Sequence, residues 1–145
     1  MISCFDVANF FLSQADEDAG DLISNLKLQK LVYYAQGFHL AMFGQPLFSE
    51  EIQAWVHGPV IPELYQKFKI YDSKPLPSPE DFNLEVFKPE VLELLEDVQK
   101  IYGQFSAWKL KNMTYEELPW SSTETGQIIS YQKMKEYFKT LLVDA

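Results

Sequence analysis

SNLKLQKLVYYAQGFHLAMFG, residues 24–44, is the stretch around which the rest of the chain must fold. Ser24 suits the position before a helix, because its hydroxyl accepts a bond from a free N–H of the first turn. Gly44 suits the position after one, because glycine takes the left-handed conformation at no steric cost. The residues between them make about five turns at ~3.6 residues per turn. Leu28, Leu31, Val32, Ala35, Phe38, His39 and Met42 share one face at the i, i+3, i+4, i+7 spacing. The other face holds Leu26, Tyr33, Gly37 and Leu40, with Gln29 and Gln36 alongside. A helix that is apolar most of the way round is buried on several sides. The segment therefore reads as a central helix. Gly37 in its middle costs roughly 1 kcal/mol relative to alanine, which predicts close approach of another backbone there.

The chain has 145 residues, 47% of them hydrophobic and 15% aromatic, enough for one domain over residues 1–145 with a core that needs no metal or disulfide. Cys4 is the only cysteine, so no intrachain disulfide can form. No run reaches the ~18 apolar residues of a membrane span. The N-terminal segment lacks a basic region and is interrupted by Asp6, unlike a signal peptide. A cytoplasmic location is the expectation. The net charge of −9 argues against direct nucleic-acid binding, which draws most of its affinity from cationic contacts to phosphate. It could attract a basic protein partner, but ordinary solubility is the plainer explanation.

The remaining elements follow in order. Ser3 opens a first helix with Phe5, Ala8, Phe11 and Leu12 inward, and Asp6 complements its dipole. Residues 16–21 read as an acidic surface loop that lacks the ligand spacing of a calcium site. The alternation Ile52-Gln53-Ala54-Trp55-Val56 predicts a short strand, with a partner near Leu47. Gly58 precedes Pro59, which drives it to extended or glycine-only backbone. Pro62 and Pro89 start helices, residues 72–79 form an exposed proline-rich linker, and Gly103 ends the second of these helices. In that helix Val91, Leu94, Leu95, Val98, Ile101 and Tyr102 should point inward. Ser106 caps a short helix carrying Trp108, Leu110 and Met113, and residues 114–120 read as an irregular turn. Ser130 caps a final helix with Met134, Tyr137, Phe138, Leu141 and Leu142 toward the core. The fold class is mainly α (α+β): five to six helices around a central buried helix, with a small β-hairpin-like element.

Chemistry-bearing motifs are sparse. No zinc spacing, phosphate-binding glycine run or nucleophile elbow is present, so no metal, cofactor or catalytic residue is expected and the chain does not read as an enzyme. His39 reads as a satisfied core histidine. His57 sits at a turn, where a backbone-bonding role competes with a functional one. The aromatics say more. Trp55 and Tyr65 could form a half-exposed cluster, and large amphipathic rings are preferred interface anchors.

Two segments, Leu26-Lys27-Leu28-Gln29-Lys30-Leu31-Val32-Tyr33-Tyr34-Ala35-Gln36-Gly37 and Ala54-Trp55-Val56-His57-Gly58-Pro59-Val60-Ile61-Pro62, resemble the most characteristic stretches of the Panacea domain, the SocA-like family of bacterial and phage proteins. The resemblance extends to residues 7–11, Leu47-Phe48, Pro119-Trp120 and Tyr137-Phe138. It departs at Tyr115, where many members carry histidine. The resemblance implies a mainly helical antitoxin that binds and neutralises a protein toxin encoded by a neighbouring gene. Alternatives are a proteolytic adaptor delivering a partner to a Clp-type protease, as the SocA type is described, or a prophage-associated protein without a toxin. Larger members add a further, often DNA-binding domain, for which this chain has no room. Motif residues expected within reach of a partner are Gln29, Tyr33, Gln36, Trp55, His57 and Tyr65, while Leu28, Leu31, Ala35 and Gly37 are expected to be structural.

Overall fold

The computed structural model describes residues 2–15 and 22–142, so the acidic loop expected at 16–21 lies outside the described residues. Among the described residues there are seven α-helices and one two-stranded antiparallel sheet, a mainly α architecture with a small hairpin.

The central helix α2 spans Asn25–Phe43. Ser24 caps its start by accepting from Lys27 N, and Gly44 ends it at φ 74°. Helices α1 (Cys4–Ser13), α4 (Pro89–Tyr102), α5 (Ala107–Tyr115) and α7 (Tyr131–Lys139) pack around it. Helix α3 (Pro62–Phe68), which a 3-10 turn continues to Tyr71, also touches it. Leu28, Leu31, Val32, Tyr33, Tyr34 and Ala35 are all fully buried, so the helix is enclosed on more than one side. Each such large side chain contributes roughly 1.5–3 kcal/mol on burial. At the C-terminal end the enclosure stops: Met42, expected inside, is 48% exposed.

Gly37 is tight for a different reason from the expected one. The Phe138 ring of α7, not another backbone, fills the space where a Cβ would stand. Phe138 also packs edge-on against Tyr33, Tyr34 and Phe38. Helix α1 begins with a complete capping box. Ser3 Oγ accepts from Asp6 N at 3.2 Å, and Asp6 Oδ2 accepts from Ser3 N at 2.9 Å. Phe5 is only half-buried, whereas Cys4, Val7 and Phe10 join the core.

The sheet departs from the sequence expectation. Strand β1 (Gln53–Trp55) pairs with β2 (Gly58–Val60), not with the segment near Leu47. Pro59 is tolerated in β2 because it lies opposite Ala54, whose own N–H and C=O turn the other way. Ala54 N donates to Gln127 O, and Ala54 O accepts from Gly126 N. The missing N–H of Pro59 therefore leaves no rung of the ladder empty. Gly58 adopts φ 106°, a glycine conformation. The Leu47-Phe48 backbone is held by Gln36 of α2 instead.

Smaller corrections concern a helix face, the segment after α7 (which ends at Lys139), the linker and a turn. Ile101, Leu141 and Leu142 are 53%, 37% and 38% exposed rather than inward. The proline-rich linker carries one buried plug, Leu76, whose N–H donates to Ile23 O. The turn expected at 114–120 holds the end of α5 and a four-residue helix α6 (Leu118–Ser121), with Pro119 in its first turn.

Candidate functional site

The two motif segments meet. Lys30, on α2, donates from Nζ to Pro59 O at 3.1 Å, and Gln29 Oε1 accepts from Ile61 N at 2.9 Å. The second bond occupies the N-cap residue of α3, which has no side-chain cap of its own. Gln29 Nε2 also donates to Asn25 Oδ1, and Asn25 Nδ2 donates to Tyr65 O at 3.3 Å. One buried amide thus fixes both the entry to α3 and the turn that carries Tyr65.

The far side of the hairpin is pinned from α5 and α6. Tyr115 OH donates to Val56 O at 2.6 Å, and Trp120 Nε1 donates to Trp55 O at 2.7 Å. The carbonyls of Trp55, Val56 and Pro59 each accept from a side chain brought by a different part of the chain. This holds a two-residue turn that would be marginal alone.

Beside the hairpin opens a groove of ≈ 670 Å³. Trp55, His57, Tyr65, Lys69, Trp108 and Lys111 are among its lining residues. The Trp55 and Tyr65 rings meet edge to face with centroids 5.1 Å apart. Trp55 Nε1 donates to Gln53 Oε1, which satisfies its polar tip. Trp108 is 69% exposed.

Of the six sequence candidates, Trp55, His57 and Tyr65 come together at this groove with some surface free. The other three do not reach solvent. Gln29, Tyr33 and Gln36 are at most 1% exposed, because α2 is covered on the faces that carry them. They cannot touch a partner from where they stand. Gln29 lines the floor of the groove through its bonds to Ile61 and Asn25, and Gln36 clamps Leu47 N and Phe48 O. Tyr33 OH and Tyr34 OH donate to Glu117 Oε1 and Oε2 at 3.2 and 2.8 Å. Glu117 in turn begins α6, the helix that presents Trp120 to the hairpin.

Two buried ionisable groups underlie the site. Burial, and then the nearby charge of Lys111, pull the Lys30 amine down to about 7. Burial pushes the Glu117 carboxyl up to about 7, against the two tyrosine hydroxyls that favour its charged form. Sequence reading singled out neither residue, nor Lys69 or Lys111. The signal for Lys30 was present: a lysine inside a helix that is apolar all round must be buried or snorkel. Glu117 gave no such signal, since its burial depends on α2 and α6 meeting.

His39 is half-buried rather than in the core, with Nδ1 2.6 Å from Gln45 O, and burial holds its imidazole below the usual histidine range. The buried Cys4 thiol is pushed far up by burial and by Glu50 and Glu63. Among the described residues no group of three or more His, Cys, Asp or Glu side chains could hold a metal ion. Likewise no helix among them is long and apolar enough to cross a membrane.

The family model described as "Antitoxin SocA-like, Panacea domain" matches residues 28–121, which contain the second motif segment, the first from Leu28 onward and most of the groove's lining residues. The chain belongs to this SocA-like Panacea family. Antitoxin SocA of Caulobacter vibrioides (strain NA1000 / CB15N) is 48% identical over 63 residues, which are 43% of this chain and 32% of that protein. The chain spans about a third of the length of this curated relative. No solved structure matches it. In this Panacea domain the residue at 115, where the resemblance suggests histidine, is a tyrosine that bonds the hairpin backbone.

Proposed function

We propose that this chain is an antitoxin that neutralises a protein toxin encoded by a neighbouring gene, by binding it. It acts in the cytoplasm, binds no nucleic acid directly and catalyses no reaction. Family membership carries this reading. The groove at Trp55, His57 and Tyr65 supports it by supplying concave aromatic surface where two motif segments join. The buried Gln29, Tyr33 and Gln36 act in it as positioning residues.

Co-expression with each adjacent gene product in a growth assay tests the proposal. The expected outcome is one neighbour that is toxic alone and harmless with this chain, with rescue lost on alanine substitution of Trp55, His57 and Tyr65 in a folded protein. Rescue by the triple variant, or the absence of any toxic neighbour, overturns it.

A second reading follows from what the SocA-like resemblance implies. Here the chain delivers its partner to a Clp-type protease. Rescue would then require the protease, and the partner would disappear; direct inhibition leaves the partner's level constant. A prophage-associated role without a toxin is the outcome if no neighbour is toxic.

A further inference from the structure

The groove beside the hairpin is chemically unlike the rest of this acidic chain. Its net charge of −9 contrasts with a lining in which Lys69 and Lys111 face a single acid, Asp72. The two lysines come from separate elements, the 3-10 turn after α3 and helix α5. Among the described residues neither forms an ion pair. Lys111 Nζ instead lies 6.0 Å from the centre of the Tyr115 ring. It also has the buried Lys30 amine as an electrostatic neighbour, a like-charge arrangement with no counter-ion provided. The same groove is lined by the exposed Trp108 and by the Trp55–Tyr65 pair. A groove that combines aromatic surface with two cations in no ion pair fits an apolar anchor accompanied by carboxylates.

We propose that this groove receives an acidic segment of the partner protein, seated by an aromatic or aliphatic side chain between Trp55 and Trp108 and by carboxylates on Lys69 and Lys111. The inference rests on the antitoxin reading for the identity of the partner, not for the chemistry of the groove. The overall negative charge does not oppose it. At physiological salt, fields fade over ~8 Å, so the lysines at the groove dominate what is felt there. Distant acidic residues then favour a partner that is basic elsewhere and acidic only in the docking segment.

The test uses the full chain and short overlapping peptides tiling the products of the adjacent genes. Captured peptides are measured by fluorescence anisotropy against wild type, Trp108→Ala and the double variant Lys69→Glu/Lys111→Glu, with circular dichroism to verify folding. Bound peptides should be acidic with an apolar anchor. The double variant should bind them at least about tenfold more weakly, and raising the salt should weaken wild-type binding in the same direction. Peptides in which Asp and Glu are replaced by Lys should recover binding to the double variant. Capture of basic peptides, or equal binding by the double variant, overturns the inference. Neutralisation of a whole neighbour with no peptide captured also overturns it, leaving the antitoxin reading intact. Capture of acidic peptides with no toxic neighbour does the reverse.

Discussion

Lys30 Nζ and Pro59 O, 3.1 Å apart and far from each other in sequence, join the central helix to the hairpin. The amine is fully buried and drawn down to about 7, so folding must either desolvate a charge or give up a proton. Between about 7 and the ordinary lysine value of 10.5 the unfolded chain holds a proton that the folded protein lacks. Stability therefore rises with pH in that window. Urea denaturation from pH 7 to about 8, below the range where the Cys4 thiol and the tyrosines ionise in the unfolded chain, should show an upward contribution in wild type that Lys30→Met lacks, the variant keeping only the fall due to Glu117. An unchanged slope in the variant would place the titrating group elsewhere.

Glu117 gives the opposite sign. Its carboxyl is raised from 4.5 to about 7, so between these values the folded protein keeps a proton that the unfolded chain has lost. Stability falls as pH rises through this window, by roughly 3 kcal/mol in all. Glu117→Gln keeps one acceptor oxygen, sets an NH2 that can donate to the other tyrosine's oxygen, and removes the titration. The variant should lose the fall between pH 5 and 7 and become the more stable protein at pH 7. A variant less stable than wild type at pH 7 contradicts the assignment.

Glycine substitutions separate backbone strain from crowding. At Gly58 the φ of 106° disfavours any Cβ, and an added one would lie 2.8 Å from both Lys30 Cε and Thr114 Oγ1. At Gly126 φ is 87° but nothing stands within 4 Å. Both Gly→Ala changes carry backbone strain of order 1–3 kcal/mol, and only Gly58→Ala adds displacement of packed groups. Chemical denaturation should rank Gly58→Ala as clearly the more destabilised, and equal losses would mean that crowding at Gly58 is negligible.

Trp108 offers a contrast between stability and recognition. It is 69% exposed, so Trp108→Ala should change stability by no more than about 0.5 kcal/mol. If it anchors a partner, the same change should weaken binding by about 2 kcal/mol, roughly thirtyfold. Thermal melting and titration calorimetry with the toxin identified by co-expression measure the two effects. A large loss of stability without loss of binding contradicts the interface role.

Trp120→Phe removes one donor to the hairpin, the bond to Trp55 O, while keeping an aromatic ring. Loss of a single partly buried hydrogen bond of this kind costs about 1 kcal/mol. The Trp55–Tyr65 edge of the groove should loosen with it. Faster amide exchange at residues 53–60 than in wild type, at near-native global stability, is the expected result. Unchanged exchange would show that Tyr115 and Lys30 suffice to hold the turn.

The local signals in the sequence determined the helices and their ends. Ser24 and Gly44 bound α2 because capping depends on nearest neighbours in the chain. The same is true of Ser3, Ser106 and Ser130, each of which caps the helix it precedes. The apolar wrap of α2 marked it as central, and the paired motif segments marked the family. Tertiary structure decided the rest, because it depends on which distant surfaces meet. Gln29, Tyr33 and Gln36 look like polar contact residues in one dimension, but they are buried, bonded to Ile61, Glu117 and the Leu47-Phe48 backbone respectively. The strand partner of Ala54 was settled by a turn that needs Gly58 at positive φ and a register that leaves Pro59 facing away from the ladder. The cationic aromatic groove exists only because α3 with its 3-10 extension, α5, the start of α2 and the hairpin line one concavity, and Lys69 and Lys111 belong to elements that no local pattern connects.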